Sequence, residues 1–367
     1  MGVLITTFLG VALLSFSNGS NDNFKGVATL LGSGTTSYKM AIFWASICTF
    51  AGAMVAVFLS EQLIQTFSGK GLVDESLLNL SSFPMIVALS AGGTVWMASF
   101  MGMPISTTHA LMGSLIGGGM GGFYQGLISL PKFSVLVDSF FIPMLSSPFL
   151  AIFFTALLYP LLKKLKEYSG VKKETCLCIG SEVLVTAPQG AGEAFMSKFS
   201  AELPNSLSID KHITCERRYR GKFLGISAKR LLDTSHFLSS GLVCFSRGVN
   251  DTPKIAVLLL GLQFFRPEVS FFLVGSFMLL GGILFVKKIA HNLSFEITEM
   301  NDGQGFSANL VSAVVILGAS RLGLPVSTTH VSCGSLFGLG VVNQGAKWKM
   351  IKKILGSWIL TLPMACV

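Results

Sequence analysis

Apolar blocks of about 16 to 24 residues recur along this chain, and each is long enough for a helix to cross a hydrocarbon core of roughly 30 Å. Of the 367 residues, 51% are hydrophobic and only 12% are charged. Soluble domains carry about 25% charged residues, so the composition excludes a water-soluble protein. We therefore predict an all-α polytopic membrane protein.

The apolar blocks form two series on either side of a polar stretch that is rich in Lys and Arg. We divide the chain into a first half at 1–162, a linker at 163–225 and a second half at 226–367. Short, positively charged connections remain in the cytoplasm, so we expect a cytoplasmic linker. The formal net charge of +9 lies mostly in such connections, which favours membrane topology over nucleic-acid binding as its cause. The candidate helices lie at about 3–33, 39–59, 83–101, 104–122, 139–162, 226–263, 269–286, 306–321, 324–342 and 351–367.

Two sequence elements occur once in each half. The element at 16–25 aligns with that at 245–254, with matching Phe, Ser, Gly, Asn, Asp and Lys. The element at 102–109 reads Gly-Met-Pro-Ile-Ser-Thr-Thr-His, and that at 323–330 reads Gly-Leu-Pro-Val-Ser-Thr-Thr-His. Each half holds about five apolar blocks, an odd number, so the second copy enters the membrane in the opposite orientation. This pattern predicts the inverted repeat of secondary transporters.

The first element places Asn21-Asp22 and Asn250-Asp251 inside long apolar blocks. An uncompensated carboxylate near the middle of a membrane costs several kcal/mol, so each Asp needs a partner. Carboxylate and amide oxygens, together with backbone carbonyls, form sites for hard cations. We predict a cation site here, and the alternative is an ion pair that only stabilises the bundle.

The residues beside these carboxylates predict a local break in each helix. Gly19 and Gly248, with Pro253 in the second half, are the residue types that interrupt a helix and expose backbone carbonyls. We therefore expect broken helices or re-entrant hairpins at the membrane midplane.

Lys25 and Lys254 follow Asp22 and Asp251 by three residues, so each lysine can face its own carboxylate on a helix. A structural ion pair is the first interpretation. The alternative is that each ammonium occupies the place of a coupling cation, or reaches a bound anion as a point charge.

The second element has the pattern of a helix start, with Pro104 or Pro325 suited to the first helical position. The hydroxyls that follow, with the free N–H groups of a helix N-terminus, form an anion cradle. Two such starts from opposite sides can hold one tetrahedral oxyanion. The alternative is helix capping, with close packing at the Gly-x-x-x-Gly spacings. The cradle residues are Ser106, Thr107, Thr108, Ser327, Thr328 and Thr329.

His109 and His330 end the two elements and can relay protons or contact the substrate. The alternative is that each imidazole hydrogen-bonds a neighbouring carbonyl.

The linker contains Cys176, Cys178 and Cys215, a spacing that gives weak support to a metal site. We expect free cytosolic thiols instead. The chain has no catalytic or Walker A motif, so we predict neither an enzyme nor an ATP-driven pump, and no cofactor.

The repeated Gly-x-Asn-Asp at 19–22 and 248–251, with Pro-x-Ser-Thr-Thr-His at 104–109 and 325–330, resembles the inorganic phosphate transporter (PiT) family. The resemblance implies a symporter that brings in inorganic phosphate with sodium or protons. It also implies that the two Asn-Asp pairs line the cation and substrate sites, and that the Ser-Thr-Thr runs bind phosphate.

The chain departs from this family at two positions. The family pattern commonly continues Asn-Asp-x-x-Asn, whereas this chain has Lys25 and Lys254 in place of the last asparagine. A fixed ammonium beside each Asp speaks against sodium coupling and favours protons or a different oxyanion such as sulfate.

We therefore expect a multi-pass transporter in the plasma (inner) membrane, working by alternating access with the lipid bilayer as its surroundings. The alternatives are transport of sulfate, a passive anion channel, and a receptor that signals through its linker. We leave open whether the chain acts as a monomer or a homodimer.

Overall fold

The computed structural model describes residues 1–70, 72–128, 133–185, 200–219 and 223–367. A short π-helix at Val137–Phe141 leads into α9. The other elements, in chain order, are α1 (Gly2–Asp22), α2 (Ala28–Gly32), α3 (Tyr38–Leu59), α4 (Glu61–Phe67), α5 (Glu75–Leu78), α6 (Ser82–Met101), α7 (Thr107–Tyr124), α8 (Phe133–Leu136), α9 (Ile142–Ser169), β1 (Thr175–Val185), β2 (Ser200–Lys211), α10 (His212–Arg218), β3 (Phe223–Ser227), α11 (Ala228–Leu260), α12 (Pro267–Leu284), α13 (Lys287–Phe295), α14 (Asp302–Arg321), α15 (Thr328–Val342) and α16 (Trp348–Cys366).

Within the described ranges, six helical segments are long and apolar enough to cross a membrane: α1, α3, α6, Ser134–Ser169, α12 and α14. The chain is therefore an integral, multi-pass, helical membrane protein, as predicted. Fewer segments meet this criterion than the ten apolar blocks predicted from the sequence. One reason is that the block at 324–342 forms the shorter helix α15, which begins only after the Gly-x-Pro-x-Ser segment.

The first predicted helix is broken, as expected, beside its Asn-Asp pair. α1 ends at Asp22, and α2 begins at Ala28 after a segment of turns. The corresponding helix of the second half, α11, continues through its Asn-Asp pair to Leu260, so the predicted break is absent there.

A substitute hydrogen bond explains why α11 continues through Pro253. Proline has no N–H to donate to the carbonyl four residues earlier, which is that of Val249. The Ser60 hydroxyl donates to that carbonyl instead, at 3.3 Å. Because the freed carbonyl has a donor, the helix continues through the proline.

Gly19 packs α1 against α12 and does not break its helix. A Cβ atom on Gly19 would overlap the backbone carbonyl of Met278, and one on Gly281 would overlap that of Phe16. α1 therefore approaches α12 so closely that neither position tolerates a side chain.

The same arrangement recurs between α11 and α3. A Cβ atom on Gly248 would overlap the carbonyl of Thr49, and one on Gly52 would overlap that of Phe245. The prediction that Gly19 and Gly248 interrupt helices is therefore wrong, since both serve close packing. α1 and α3 belong to the first half, and α11 and α12 belong to the second. Each of these close contacts therefore joins a helix of one half to a helix of the other.

The Gly-x-x-x-Gly spacings pack helices, as one interpretation of the sequence predicted. Gly113 and Gly117 of α7 face backbone carbonyls of α16. Gly334 and Gly338 of α15 face α9, where added Cβ atoms would lie 2.8 and 2.7 Å from backbone oxygens. The helix after each Ser-Thr-Thr run is thus held by the last long helix of the other half.

The described chain divides into two compact units, one comprising Met1–Tyr159 with His236–Val367 and the other Pro160–Ser235. The smaller unit contains a three-stranded antiparallel sheet in the order β2-β1-β3. Its cytoplasmic location stays a prediction.

A disulfide joins Cys178 of β1 to Cys215 of α10, so the expectation of free linker thiols is wrong for this pair. Cys176 and Cys178 lie two residues apart and therefore face the same side of β1, against which α10 packs. Cys176 remains a free, buried thiol. Burial raises the pKa of Cys176 above its ordinary value, and the nearby Arg230 guanidinium opposes this shift.

Candidate functional site

Each Ser-Thr-Thr-His element starts a helix, with its serine as the N-cap. Ser106 Oγ accepts the backbone N–H of His109 at 3.1 Å, and Ser327 Oγ accepts that of His330 at 3.2 Å. Both serines have an extended backbone, so α7 and α15 begin at the following threonine. The prolines lie two residues before the caps. The prediction that they occupy the first helical position is wrong, because the serines already supply the cap.

The two helix starts lie side by side. The Thr108 hydroxyl donates to the Val326 carbonyl at 3.3 Å, and the Thr329 hydroxyl donates to the Ile105 carbonyl at 2.6 Å. Each threonine thereby bonds the segment that precedes the helix of the other half. Two helix N-termini with positive dipole ends meet at one place, a geometry suited to an anion.

The first threonine of each run bonds the Asp of its own half. Thr328 Oγ1 donates to Asp251 Oδ2 at 3.1 Å, and Thr107 Oγ1 lies 3.5 Å from Asp22 Oδ2. Asn18 Nδ2 also donates to that Asp22 oxygen, at 3.2 Å. Both carboxylates are therefore buried directly beside the helix starts.

Asn21 and Asn250 hold the extended segments that lead into α7 and α15. The Asn21 amide donates to the Met103 carbonyl at 2.9 Å and accepts the Ile105 N–H at 3.1 Å. The Asn250 amide donates to the Val326 carbonyl at 3.3 Å. Both amides therefore fix the backbone just before the serine caps.

Lys25 is buried at the centre of this arrangement. Its ammonium forms short contacts with Asp22 Oδ1 and the Thr329 hydroxyl. It also lies 3.1 Å from the Ile105 carbonyl and 3.3 Å from Asn21 Oδ1. The first half thus contributes an ammonium that reaches the helix start of the second half.

Lys254 occupies the matching position in the second half. Its ammonium donates to the Val326 carbonyl at 2.8 Å and to the Thr108 hydroxyl at 3.0 Å. It also lies 3.4 Å from Asp251 Oδ1. Each lysine therefore contacts its own carboxylate, its own pre-helical carbonyl and a threonine of the other half.

Arg247 also lies in the site, although the sequence analysis did not single it out. It is 1% exposed, and it donates to Asn18 Oδ1 at 3.3 Å and to Asn23 Oδ1 at 3.4 Å. Its Nε lies 3.8 Å from Asp251 Oδ2. The guanidinium therefore links both halves of the protein.

Two signals in the sequence could have revealed Arg247. It is an ionisable residue inside an apolar block, which is a candidate for function by default. It also aligns with Asn18 in the repeated element, so it is a charge that the first half lacks. Ser99 and Ser320 were also missed, and they bond the side chains of Asn21 and Asn250 at 3.1 and 3.0 Å.

His109 and His330 meet between the halves, with ring centroids 4.6 Å apart. His330 Nδ1 lies 3.4 Å from the Met144 carbonyl, and its ring packs on Trp358 at 3.9 Å between centroids. Among the residues with described side chains, His109 Nδ1 and His330 Nε2 have no hydrogen-bond partner. The pair adjoins the cradle, while its part in transport stays a prediction.

The buried charges of the site do not cancel. Wherever side-chain burial is described, the buried ionisable groups of Asp, Glu, Lys and Arg are two carboxylates and three cations. The cations are Lys25, Lys254 and Arg247. A cluster of buried charges with a formal excess of one positive charge attracts an anion.

The sequence profile of the phosphate transporter family matches residues 18–367. A protein of Pyrococcus furiosus, described as a predicted phosphate permease, is 27% identical over 100% of this chain and 94% of its own length. A Rhizobium meliloti protein, described as a predicted low-affinity inorganic phosphate transporter, is 25% identical over 99% of this chain and 94% of its own length. Both are described as transport proteins, which agrees with the prediction that this chain is not an enzyme.

A solved structure of a sodium-dependent phosphate transporter has the same fold. Its TM-score is 0.71 and its identity 21%, and the match covers 100% of this chain and 96% of the other. The resemblance seen in the repeated motifs is therefore confirmed by the family profile, which spans both halves and the linker. The chain belongs to the phosphate transporter family.

Proposed function

We propose that this protein is a secondary active transporter that carries inorganic phosphate across the membrane by alternating access, coupled to sodium or protons. The observation that carries this proposal is the meeting of two helix N-termini from opposite halves. The bonds of Thr108 to Val326 and of Thr329 to Ile105 define that meeting.

The chemistry of the site suits a tetrahedral oxyanion. Hydroxyls and backbone N–H groups at helix starts bind phosphate oxygens without requiring a fixed charge. In this proposal Asn21 and Asn250 position the cradle, and Asp22 and Asp251 carry the coupling cation. The phosphate is bound by Ser106, Thr107, Thr108, Ser327, Thr328 and Thr329.

Alternating access requires that the two halves rearrange around a fixed site. Each pre-helical segment is hydrogen-bonded by the asparagine of its own half and by a threonine of the other half. A movement of one half relative to the other therefore alters the geometry of the cradle directly. We place the protein in the plasma (inner) membrane. A measurement of the mass of the protein in detergent would distinguish a monomer from a homodimer.

Uptake of radiolabelled phosphate into liposomes that contain the purified protein tests this function. Accumulation above equilibrium, driven by an imposed sodium or proton gradient, is the expected result. Equilibration without accumulation would instead indicate a passive channel. Loss of the signal in excess unlabelled sulfate would assign the site to another tetrahedral oxyanion.

The Asp22→Ala and Asp251→Ala variants test the role of the carboxylates. Each should abolish accumulation, since the coupling cation loses its charged partner. Glu268→Gln is a matched control, because this carboxylate is exposed near the start of α12. Accumulation that persists in either Asp variant would contradict coupling through these residues.

A further inference from the structure

We propose that Lys25, Lys254 and Arg247 are tethered cations that take the place of coupling sodium ions, so that transport requires no sodium. This inference rests on the proposed function, and it selects the proton from the two coupling ions named there.

The surroundings of Lys254 are the ligands of a hard cation. One carboxylate, one hydroxyl and one backbone carbonyl lie 3.4, 3.0 and 2.8 Å from its ammonium nitrogen. Oxygen ligands of these three kinds are those that proteins use for hard metal ions. The ammonium already occupies this position, so a sodium ion would have to displace it.

Lys25 occupies the equivalent position in the first half. Asp22, the Thr329 hydroxyl and the Ile105 carbonyl surround its ammonium, and Asn21 supplies a further oxygen. In each half, an ammonium thus occupies a position surrounded by the same three kinds of ligand. Two independent positions show the same substitution of an ammonium for a free cation.

Arg247 adds a charge that has no equivalent in the first half, where Asn18 stands instead. A guanidinium does not lose its proton in proteins, so this charge is permanent. With both lysine–carboxylate pairs formed, Arg247 leaves one net positive charge next to the cradle. The protein therefore balances one negative charge of a bound anion without an added cation, and a sodium ion here would be repelled.

Initial phosphate uptake by the unmodified protein, with sodium replaced by choline at a clamped membrane potential, tests the inference. We expect a change of less than about twofold, whereas coupling between two ligands typically changes affinity about 5- to 150-fold. A decrease in uptake of about fivefold or more on removal of sodium would overturn the inference.

The Lys25→Asn/Lys254→Asn double variant provides the converse test. Removing both ammonium groups leaves the oxygen ligands free, so we expect sodium to stimulate its uptake at least about fivefold. Lys349→Gln is the matched control, because this lysine is exposed and outside the site. A double variant that transports equally well with and without sodium would contradict the substitution.

Binding of radiolabelled sodium to the unmodified protein decides the question if the double variant does not fold. The absence of saturable sodium binding would support the inference that tethered cations replace sodium. Saturable sodium binding would overturn it. This measurement also separates the two proposals. A protein that transports no phosphate under any gradient would refute the proposed function, while its sodium binding would still test this inference.

Discussion

The hydroxyl of Thr329 donates a hydrogen bond of 2.6 Å to the backbone carbonyl of Ile105, which lies 224 residues earlier in the chain. Ile105 immediately precedes the serine cap of α7, and Thr329 is in the first turn of α15. The bond therefore ties the helix start of one half to that of the other. Its counterpart is the bond from Thr108 to Val326, so the two halves hold each other through matching contacts.

The Thr108→Val and Thr329→Val variants should weaken phosphate uptake. Valine keeps the shape of threonine but removes a hydroxyl that both donates to a pre-helical carbonyl and accepts from a buried lysine, at a cost of about 1–3 kcal/mol. We expect KM to rise about 5- to 150-fold, measured as the concentration dependence of uptake. Thr155→Val is the matched control, because Thr155 is buried and its hydroxyl has no partner among the residues that the structure describes. Equal KM values in all three variants would show that the hydroxyls are not needed.

Gly281→Ala should prevent α1 and α12 from packing. The new Cβ would overlap the carbonyl of Phe16, and the backbone cannot move aside as a flexible side chain can. We expect little monodisperse protein on size exclusion. Gly93→Ala is the control, since its Cβ would have no atom within 4 Å, and it should change stability by less than about 1 kcal/mol. Normal yield of the Gly281 variant would contradict the close approach.

Arg247→Asn replaces the guanidinium with the residue found at the equivalent position of the first half. The oxygens of Asn18 and Asn23 lose their guanidinium donor, at a cost of about 1–3 kcal/mol in a buried site, so we expect a lower unfolding temperature in detergent. The site also loses its excess positive charge, so we expect a large loss of uptake. Arg247→Lys should recover only part of both, because an ammonium does not reproduce the several bonds of the guanidinium. Full recovery by lysine would show that charge alone matters at this position.

Ser60→Ala should destabilise α11 near Pro253. The Val249 carbonyl loses its donor, which costs about 1–3 kcal/mol in a buried environment. Pro253→Ala restores the backbone N–H that can bond this carbonyl, so the double variant should be more stable than Ser60→Ala alone. Thermal unfolding of the four proteins in the cycle measures the coupling. Additive effects would mean that Ser60 does not substitute for the missing N–H.

Mass spectrometry after alkylation should detect the Cys178–Cys215 disulfide. Of the seven cysteines, five are free, so denatured protein should take up five alkyl groups without reductant and seven after reduction. The Cys178→Ser/Cys215→Ser variant should keep its phosphate uptake, because neither residue belongs to the proposed transport site. Seven alkyl groups before reduction would show that the disulfide does not form.

The predictions that succeeded rest on local chemistry. An apolar run long enough to cross the hydrocarbon core can be recognised from its own length and composition. Both Pro-x-Ser-Thr-Thr elements were recognisable as helix starts, although each helix begins after its serine and not at its proline. The duplication of these elements indicated two helix starts, and the structure places them side by side.

The predictions that failed depend on distant residues. Pro253 breaks no helix because Ser60, from the other half of the chain, bonds the carbonyl that the proline leaves free. Gly19 packs against α12, and sequence alone does not distinguish this role from a helix break. The linker disulfide requires α10 to bring Cys215 to β1, which no cysteine spacing specifies.

The sequence by itself determined that the chain is a helical membrane protein, that it is built from two related halves, and that buried carboxylates and hydroxyl-rich helix starts recur in both. Only the tertiary structure shows which side chains of the two halves contact each other. Lys25 and Thr329 meet although 304 residues separate them, and Arg247 bridges to Asn18 and Asn23. Such contacts arise because helices of one half pack against helices of the other. The local periodicity of a sequence does not show which helices pack together.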